Sequence, residues 1–185
     1  MPNTTTITSK LQLRPAQLND IEKICELGIN TFSATFGYSL SVEDLNDYLG
    51  IAYNKESIGA ELVNPAMTTI VVENPAQPTE IIGFGQLLRY SSDSEPCLQN
   101  IENPIELHRL YVNTKCHSRG VGSQLMKKLE CIAKDEGFKS MWLGVWEENG
   151  VAKDFYRNKG FERVGEHAFR MGNCVQIDWI LCKRI

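Results

Sequence analysis

A strand that stops at a glycine-marked turn and restarts as an amphipathic helix is the feature that most narrows what this sequence can become. Ile105-Glu-Leu-His-Arg-Leu-Tyr-Val112 is rich in β-formers, a loop runs from Asn113 to Arg119, and Gly120-Val-Gly122 opens a helix. On that helix Val121, Leu125, Leu129, Ile132, Ala133 and Glu136 trace one face, and Gly137 ends it. Met141 to Trp146 is the next strand. Such a succession buries its apolar faces only in a sheet covered by helices.

The flanks extend this pattern. Leu11 to Arg14 reads as a short strand ended by Pro15, and Ile21, Ile24, Cys25, Gly28 and Phe32 recur at helical spacing with Asn19 or Asp20 as cap. Ser41-Val-Glu-Asp44 and Asn54 open two further helices. Thr68 to Val72 and Ile81 to Leu88 form a hairpin around a Pro-rich loop, and Ser91 to Pro104 is a polar connection. After Trp146 come a short helix over Val151 to Lys159, a strand over Phe161 to Val164, and a last strand through Val175 to Cys182. The expected fold class is α/β, a mixed sheet with helices on its faces, formed by one domain over 11–185 behind a flexible lead-in over 1–10.

Composition excludes several classes. With 19 Lys and Arg against 23 Asp and Glu, the net charge of -4 argues against a nucleic-acid partner and permits a small cationic one. No run of about eighteen apolar residues is present, so no membrane partner is expected. The first residues lack the apolar stretch of a secretory signal, and the six cysteines are scattered, with Cys25 and Cys131 expected on apolar helix stripes, which suits reduced thiols in a cytoplasm. No two histidines have metal-ligand spacing, so no metal is expected.

Two segments carry chemistry. At the 117–123 junction, glycines leave backbone N–H groups unobstructed at the positive end of a helix, an arrangement suited to an anion, and Lys115 and Arg119 add charge. Turn chemistry alone explains such glycines equally well. No Gly-Lys-Ser/Thr follows, and Leu125 stands where the third glycine of a dinucleotide loop belongs. The second segment runs from Asn149 through Phe155-Tyr156 to Gly160-Phe161. Here Asn149 reads as a helix cap and Phe155 as core. Tyr156, about 100° further round the helix, is free to face elsewhere.

Together these segments resemble the GNAT acetyltransferases. The family's phosphate loop, Gln/Arg-x-x-Gly-x-Gly/Ala, is matched by His117-Ser-Arg-Gly120-Val-Gly122, with His117 as the departure. Its later segment, Asn-x-x-Ala-x-x-Phe-Tyr-x-x-x-Gly-Phe, is matched from Asn149 to Phe161. Thr31 to Gly37, Ser41 to Leu45, Tyr48-Leu49, Trp142 to Glu147 and Gly165 to Gly172 are similar to the PaiA-like branch, associated with acetylating spermidine and spermine.

The resemblance implies a mostly antiparallel central sheet with helices on both faces, and acetyl-CoA as cofactor. It implies pantetheine pairing along Leu110, Tyr111 and Val112, and pyrophosphate on the N–H groups of His117, Ser118, Arg119, Gly120, Val121, Gly122 and Ser123. Asn149, Phe155, Tyr156 and Lys159 would complete the cofactor site. Tyr156 would be the general acid, and a backbone N–H near Leu110 would face the reacting oxygen. Independently of the resemblance, Glu106 and His108 share one face of their strand and either could serve as the base, although both also fit ordinary strand surface. The amine acceptor would lie among Phe32, Thr35, Phe36, Tyr38, Trp146, Glu147 and His167, with Glu43, Asp44, Glu147 and Asp178 as the candidate acids for a polycation, although Phe32 and Phe36 at i, i+4 fit a core equally well. Acetylation of a protein amine, a non-catalytic CoA-binding module and a homodimer all remain open.

Overall fold

The computed structural model describes residues 11–185, so the lead-in expected over 1–10 lies outside the described residues. Seven strands form one sheet: β1 (Gln12–Pro15), β2 (Met67–Asn74), β3 (Gln77–Leu88), β4 (Pro104–Val112), β5 (Ser140–Trp146), β6 (Glu162–Met171) and β7 (Cys174–Arg184). Their order is β1-β2-β3-β4-β5-β7-β6, and every neighbouring pair is antiparallel except β4 and β5.

Alternation along β2 shows how the sheet divides two cores. Ile70 and Val72 point into one, and Val71 between them points into the other. The first core is closed by α4 (Val121–Asp135), which buries Val121, Leu125, Met126, Leu129 and Ala133. Each large aliphatic side chain buried there contributes about 1.5–3 kcal/mol. Ala152, Phe155 and Tyr156 of α5 (Gly150–Arg157) pack against the same core. The second core is closed by α1 (Ile21–Phe36), α2 (Val42–Ala52) and α3 (Lys55–Val63), through Ile24, Phe32, Tyr53 and Ile58. Helices therefore cover both faces, as the sequence pattern requires.

Local chemistry sets the helix ends. Ser41 Oγ accepts from Asp44 N–H at 3.0 Å and Asn54 Oδ1 from Ser57 N–H at 2.7 Å. The start of α1 is built differently from the expected cap. Asp20 turns its carboxylate back to Arg14 at 2.6 Å and to the Gln17 N–H at 2.8 Å, tying α1 to β1.

Three further details depart from the sequence reading. β6 runs on to Met171 instead of ending at Val164, because its long antiparallel register with β7 keeps its backbone paired. The polar connection before β4 contains two short 3₁₀ turns; it buries Glu95 and packs Leu98 against Trp142, Ile180 and Cys182. Cys131 is exposed, off the apolar stripe of α4. No described helix is long and apolar enough to cross a membrane.

The relationship that positions the site lies between β4 and β5. They pair only from Pro104–Glu106 to Ser140–Trp142 and then diverge, leaving both inner edges open.

Candidate active site

The wedge between the diverging strands opens into a cavity of about 930 Å³ that reaches from the start of α4 to α1, α2 and β6. Backbone alternation gives its strand wall direction. Asn113 N–H pairs with Ile82 C=O on β3, so Tyr111 faces β3 as well. The N–H groups of Leu110 and Val112 therefore face the open edge. The Val112 carbonyl confirms this orientation, since His117 Nε2 approaches it at 3.1 Å from that side.

One end of the cavity is formed by the α4 junction. The first helical bond there runs from Gln124 N–H to Gly120 C=O, so the N–H groups of Val121, Gly122 and Ser123 have no intrahelical acceptor. Gly120 adopts φ +79°, a left-handed conformation that aims the chain into the helix, and Ser118 adopts φ +62°. A Cβ on Gly122 would touch Phe155 and Val112 at 3.7 Å, so the glycine also keeps this end open. Across the wedge, Asn149 Oδ1 caps α5 by accepting from Ala152 N–H at 3.1 Å. Its amide NH₂ is left to meet a ligand. Burial, with Tyr111 nearby, pushes the Tyr156 phenol well above its ordinary value and keeps it protonated.

The other end is aromatic and acidic. Phe36 and Tyr38 lie 5.5 Å and 5.8 Å from Trp146 between ring centroids, and Phe32 stacks on Tyr48 at 4.5 Å. β3 skips one β4 residue between Gln86↔Arg109 and Leu87↔Leu107, and this bulge brings His108 Nδ1 to 2.9 Å from Glu106 Oε1. Although burial opposes it, the hydrogen bond from His108 holds the Glu106 carboxyl below its ordinary range. On β6, His167 Nδ1 lies 2.6 Å from Glu95 Oε1, and its Nε2 lies 4.0 Å from Asp178 Oδ2 on β7. Burial pushes the Asp178 carboxyl up to about 6, with His167 pulling the other way.

The fold gathers Phe32, Thr35, Phe36, Tyr38, Glu106, His108, Leu110, Tyr111, Val112, His117, Ser118, Gly120, Val121, Gly122, Ser123, Trp146, Asn149, Phe155, Tyr156 and His167 around this one cavity. Three residues grouped with them by sequence stand elsewhere. Arg119 is exposed outside the wall, and Lys159 lies over Phe155, 5.5 Å from its ring centroid, and does not line the cavity. Glu147 follows the last residue of β5, is exposed, and leaves its place on the wall to Glu148. Of the acids that sequence offered for a cationic ligand, Asp178 lines the cavity. Asp44 instead holds the β6–β7 turn through Asn173 N–H at 2.8 Å.

Sequence reasoning missed Glu95, Trp142, Gly144 and Phe169. Gly144 had a readable signal, because a glycine inside a strand pattern marks a close approach. Glu95 had none, since only the folding of its loop onto β6 brings it to His167. Among the described residues no group of three His, Cys, Asp or Glu could hold a metal ion.

Comparison with known proteins agrees with this geometry. The family model described as Acetyltransferase (GNAT) family matches residues 32–161. An uncharacterized N-acetyltransferase of Lactobacillus delbrueckii subsp. lactis is 30% identical over 166 residues, 90% of this chain and 92% of the relative. The thialysine N-epsilon-acetyltransferase of Bos taurus is 28% identical over 137 residues, 69% of this chain and 77% of the relative. Among solved structures, the PaiA N-acetyltransferase from Thermoplasma acidophilum, in complex with coenzyme A, superposes with a TM-score of 0.73 at 23% identity. That match covers 95% of this chain and 99% of the other.

Proposed function

The chain belongs to the acetyltransferase (GNAT) family and is an acetyl-CoA-dependent N-acetyltransferase; on that premise we propose that its acceptor is a primary amine of a small polycation such as spermidine or spermine. The observation that carries this reading is the far end of the cavity, where Phe36, Tyr38, Tyr48 and Trp146 stand with the carboxylates of Glu106 and Asp178. Aromatic faces and carboxylates attract cationic groups separated by methylenes. The walls at this end come from α1, α2, β6 and β7, which suits a small molecule better than a protein segment.

The residues present fit the cofactor. Acetyl-CoA supplies the acyl group and the thiol leaving group when bound. The outward N–H groups of Leu110 and Val112 offer an edge for strand-like pairing with an amide-bearing arm. The free N–H groups of Val121, Gly122 and Ser123 lie at the helix end that favours pyrophosphate. The Leu110 N–H would be the donor for the reacting carbonyl oxygen. Tyr156, kept protonated by burial, would supply the proton for the departing sulfur.

Acetylation assays across spermidine, a one-amine analogue of similar length, thialysine and a lysine peptide test the acceptor. The expected order of kcat/KM places spermidine first. The name of the bovine relative supports a second reading, a diamino acid such as thialysine, and a higher kcat/KM for thialysine would establish that reading instead.

A further inference from the structure

We propose that the gap between Asp178 and His167, over Gly144, is the seat of the acceptor's reactive ammonium, and that His167 takes its proton. This rests on the amine-acetylation reading above and names where the amine is held and activated.

The geometry is that of a seat for one nitrogen. Asp178 Oδ2 and His167 Nε2 are 4.0 Å apart, too far to bond each other. A single nitrogen between them can donate to both at about 2.9 Å. The place is open because residue 144 has no side chain. A Cβ built there would stand 3.4 Å from Asp178 Oδ2 and 3.5 Å from His167 Nε2, facing the gap and in van der Waals contact with both of its sides. Trp142 and Trp146, on the same face of β5, flank the opening on the cavity wall.

Chemistry on both sides favours an ammonium. Glu95, only 7% exposed, lies 2.6 Å from His167 Nδ1. A carboxylate can only accept, so Nδ1–H donates to Glu95, and whenever the ring is neutral its Nε2 lone pair faces the gap. Asp178 accepts no hydrogen bond from any described residue, although its side chain is mostly buried. A mostly buried carboxylate with no donor lacks the partner that an ammonium supplies. The groups facing Asp178 are Tyr48 from α2, Tyr111 from β4 and His167 from β6. Those facing His167 are Glu95, Asp178 and, from β4, Glu106 with its partner His108.

The proton step balances without any further reagent. One N–H bond of the ammonium breaks, its electron pair stays on nitrogen, and the proton bonds to His167 Nε2. The product is a neutral amine with a free lone pair and an imidazolium between Glu95 and Asp178. Glu95 does not touch the amine and is a positioning residue.

Three variants and one titration test this. Gly144→Ala fills the seat with a methyl group that meets nothing closer than 3.4 Å, so the protein folds. The expected result is a KM for spermidine raised at least about tenfold, with the thermal shift on acetyl-CoA binding unchanged. His167→Gln is expected to lower kcat/KM for the amine about 100-fold at pH 7. That loss shrinks toward pH 10, where solution itself deprotonates the amine. Glu95→Gln gives a smaller loss and lowers the midpoint of the His167 ring titration, followed by NMR without cofactor. An unchanged amine KM in Gly144→Ala overturns the proposal, and so does a His167→Gln loss that stays constant with pH. If His167→Gln does not fold, the wild-type titration decides. Addition of spermidine must move the His167 midpoint, and an unmoved midpoint overturns the seat. Wild-type acetylation of the amine panel tests the acceptor reading separately, so the two can fail independently.

Discussion

The ring of His117 lies 3.1 Å from the carbonyl oxygen of Val112, on the edge of β4 that β5 has left open. The side chain at the first position of the phosphate-loop pattern is thus turned back onto the strand, away from the helix N-terminus. Anion binding there falls to backbone N–H groups. His117→Ala is expected to leave the acetyl-CoA dissociation constant within about threefold of wild type, as for an exposed substitution away from the contact. Isothermal titration checks this, and a tenfold loss would assign His117 a direct contact.

Gly120 is the contrasting case. At φ +79° a β-branched residue is strained, by about 1–2 kcal/mol from the left-handed conformation alone. Relief of that strain re-aims the N–H groups of Val121, Gly122 and Ser123. Gly120→Val is expected to remain folded, with a lower melting temperature and no rise on adding acetyl-CoA. A full thermal shift in that variant would remove the loop from the binding site.

Tyr156→Phe is expected to bind acetyl-CoA as wild type does and to lose between about 10- and 10⁴-fold in kcat. Because burial raises the phenol, wild-type activity should show no alkaline loss from its ionisation below about pH 10. Turnover measured with the cofactor saturating decides both points. Unchanged turnover means the thiolate departs without this proton.

Asp178 should carry a stability cost for its position. Its carboxyl titrates near 6 in the fold against about 3.9 in an unfolded chain. Below pH 4 both states are protonated and nothing is lost. Between pH 4 and 6 the unfolded chain releases its proton first, so stability falls, and above pH 6 the penalty is constant. Asp178→Asn is expected to be more stable than wild type at pH 7 by roughly 3 kcal/mol and equal to it below pH 4. Denaturant unfolding at the two pH values measures the difference. A stabilising loss of function there would mark a residue kept for chemistry.

Asp20 behaves in the opposite sense. It is buried, and burial by itself would raise its carboxyl, but Arg14 and the Gln17 N–H hold it below the ordinary range. The stability it contributes is present above about pH 3.9 and is lost as pH falls through the lower folded value. Asp20→Ala is expected to cost about 3 kcal/mol at pH 7, since it strips Arg14 of its partner. A melting curve with less than a tenth of that effect would show that Glu73 alone satisfies Arg14.

What the sequence determined by itself is local in origin. The apolar stripe of α4, the caps at Ser41 and Asn54, and the left-handed turns at Gly120, Gly137 and Gly160 each follow from residues within a few positions of one another. Such signals depend on backbone sterics and periodicity, which neighbouring residues carry in full. The two glycine-containing motifs were legible for the same reason, and they located the cofactor end of the cavity. The acceptor end was legible only as a collection of candidates. Glu147 and Asp178 looked equivalent as acids, yet the pairing of β5 with β7 puts Asp178 on the wall, while Glu147 falls beyond the end of β5 and outside it. Glu95 meets His167 across 72 positions of chain. Gly144 matters because of what β6 and β7 bring beside it. Only tertiary structure decided these, because a contact between distant strands depends on register and divergence, and no short window of sequence contains either.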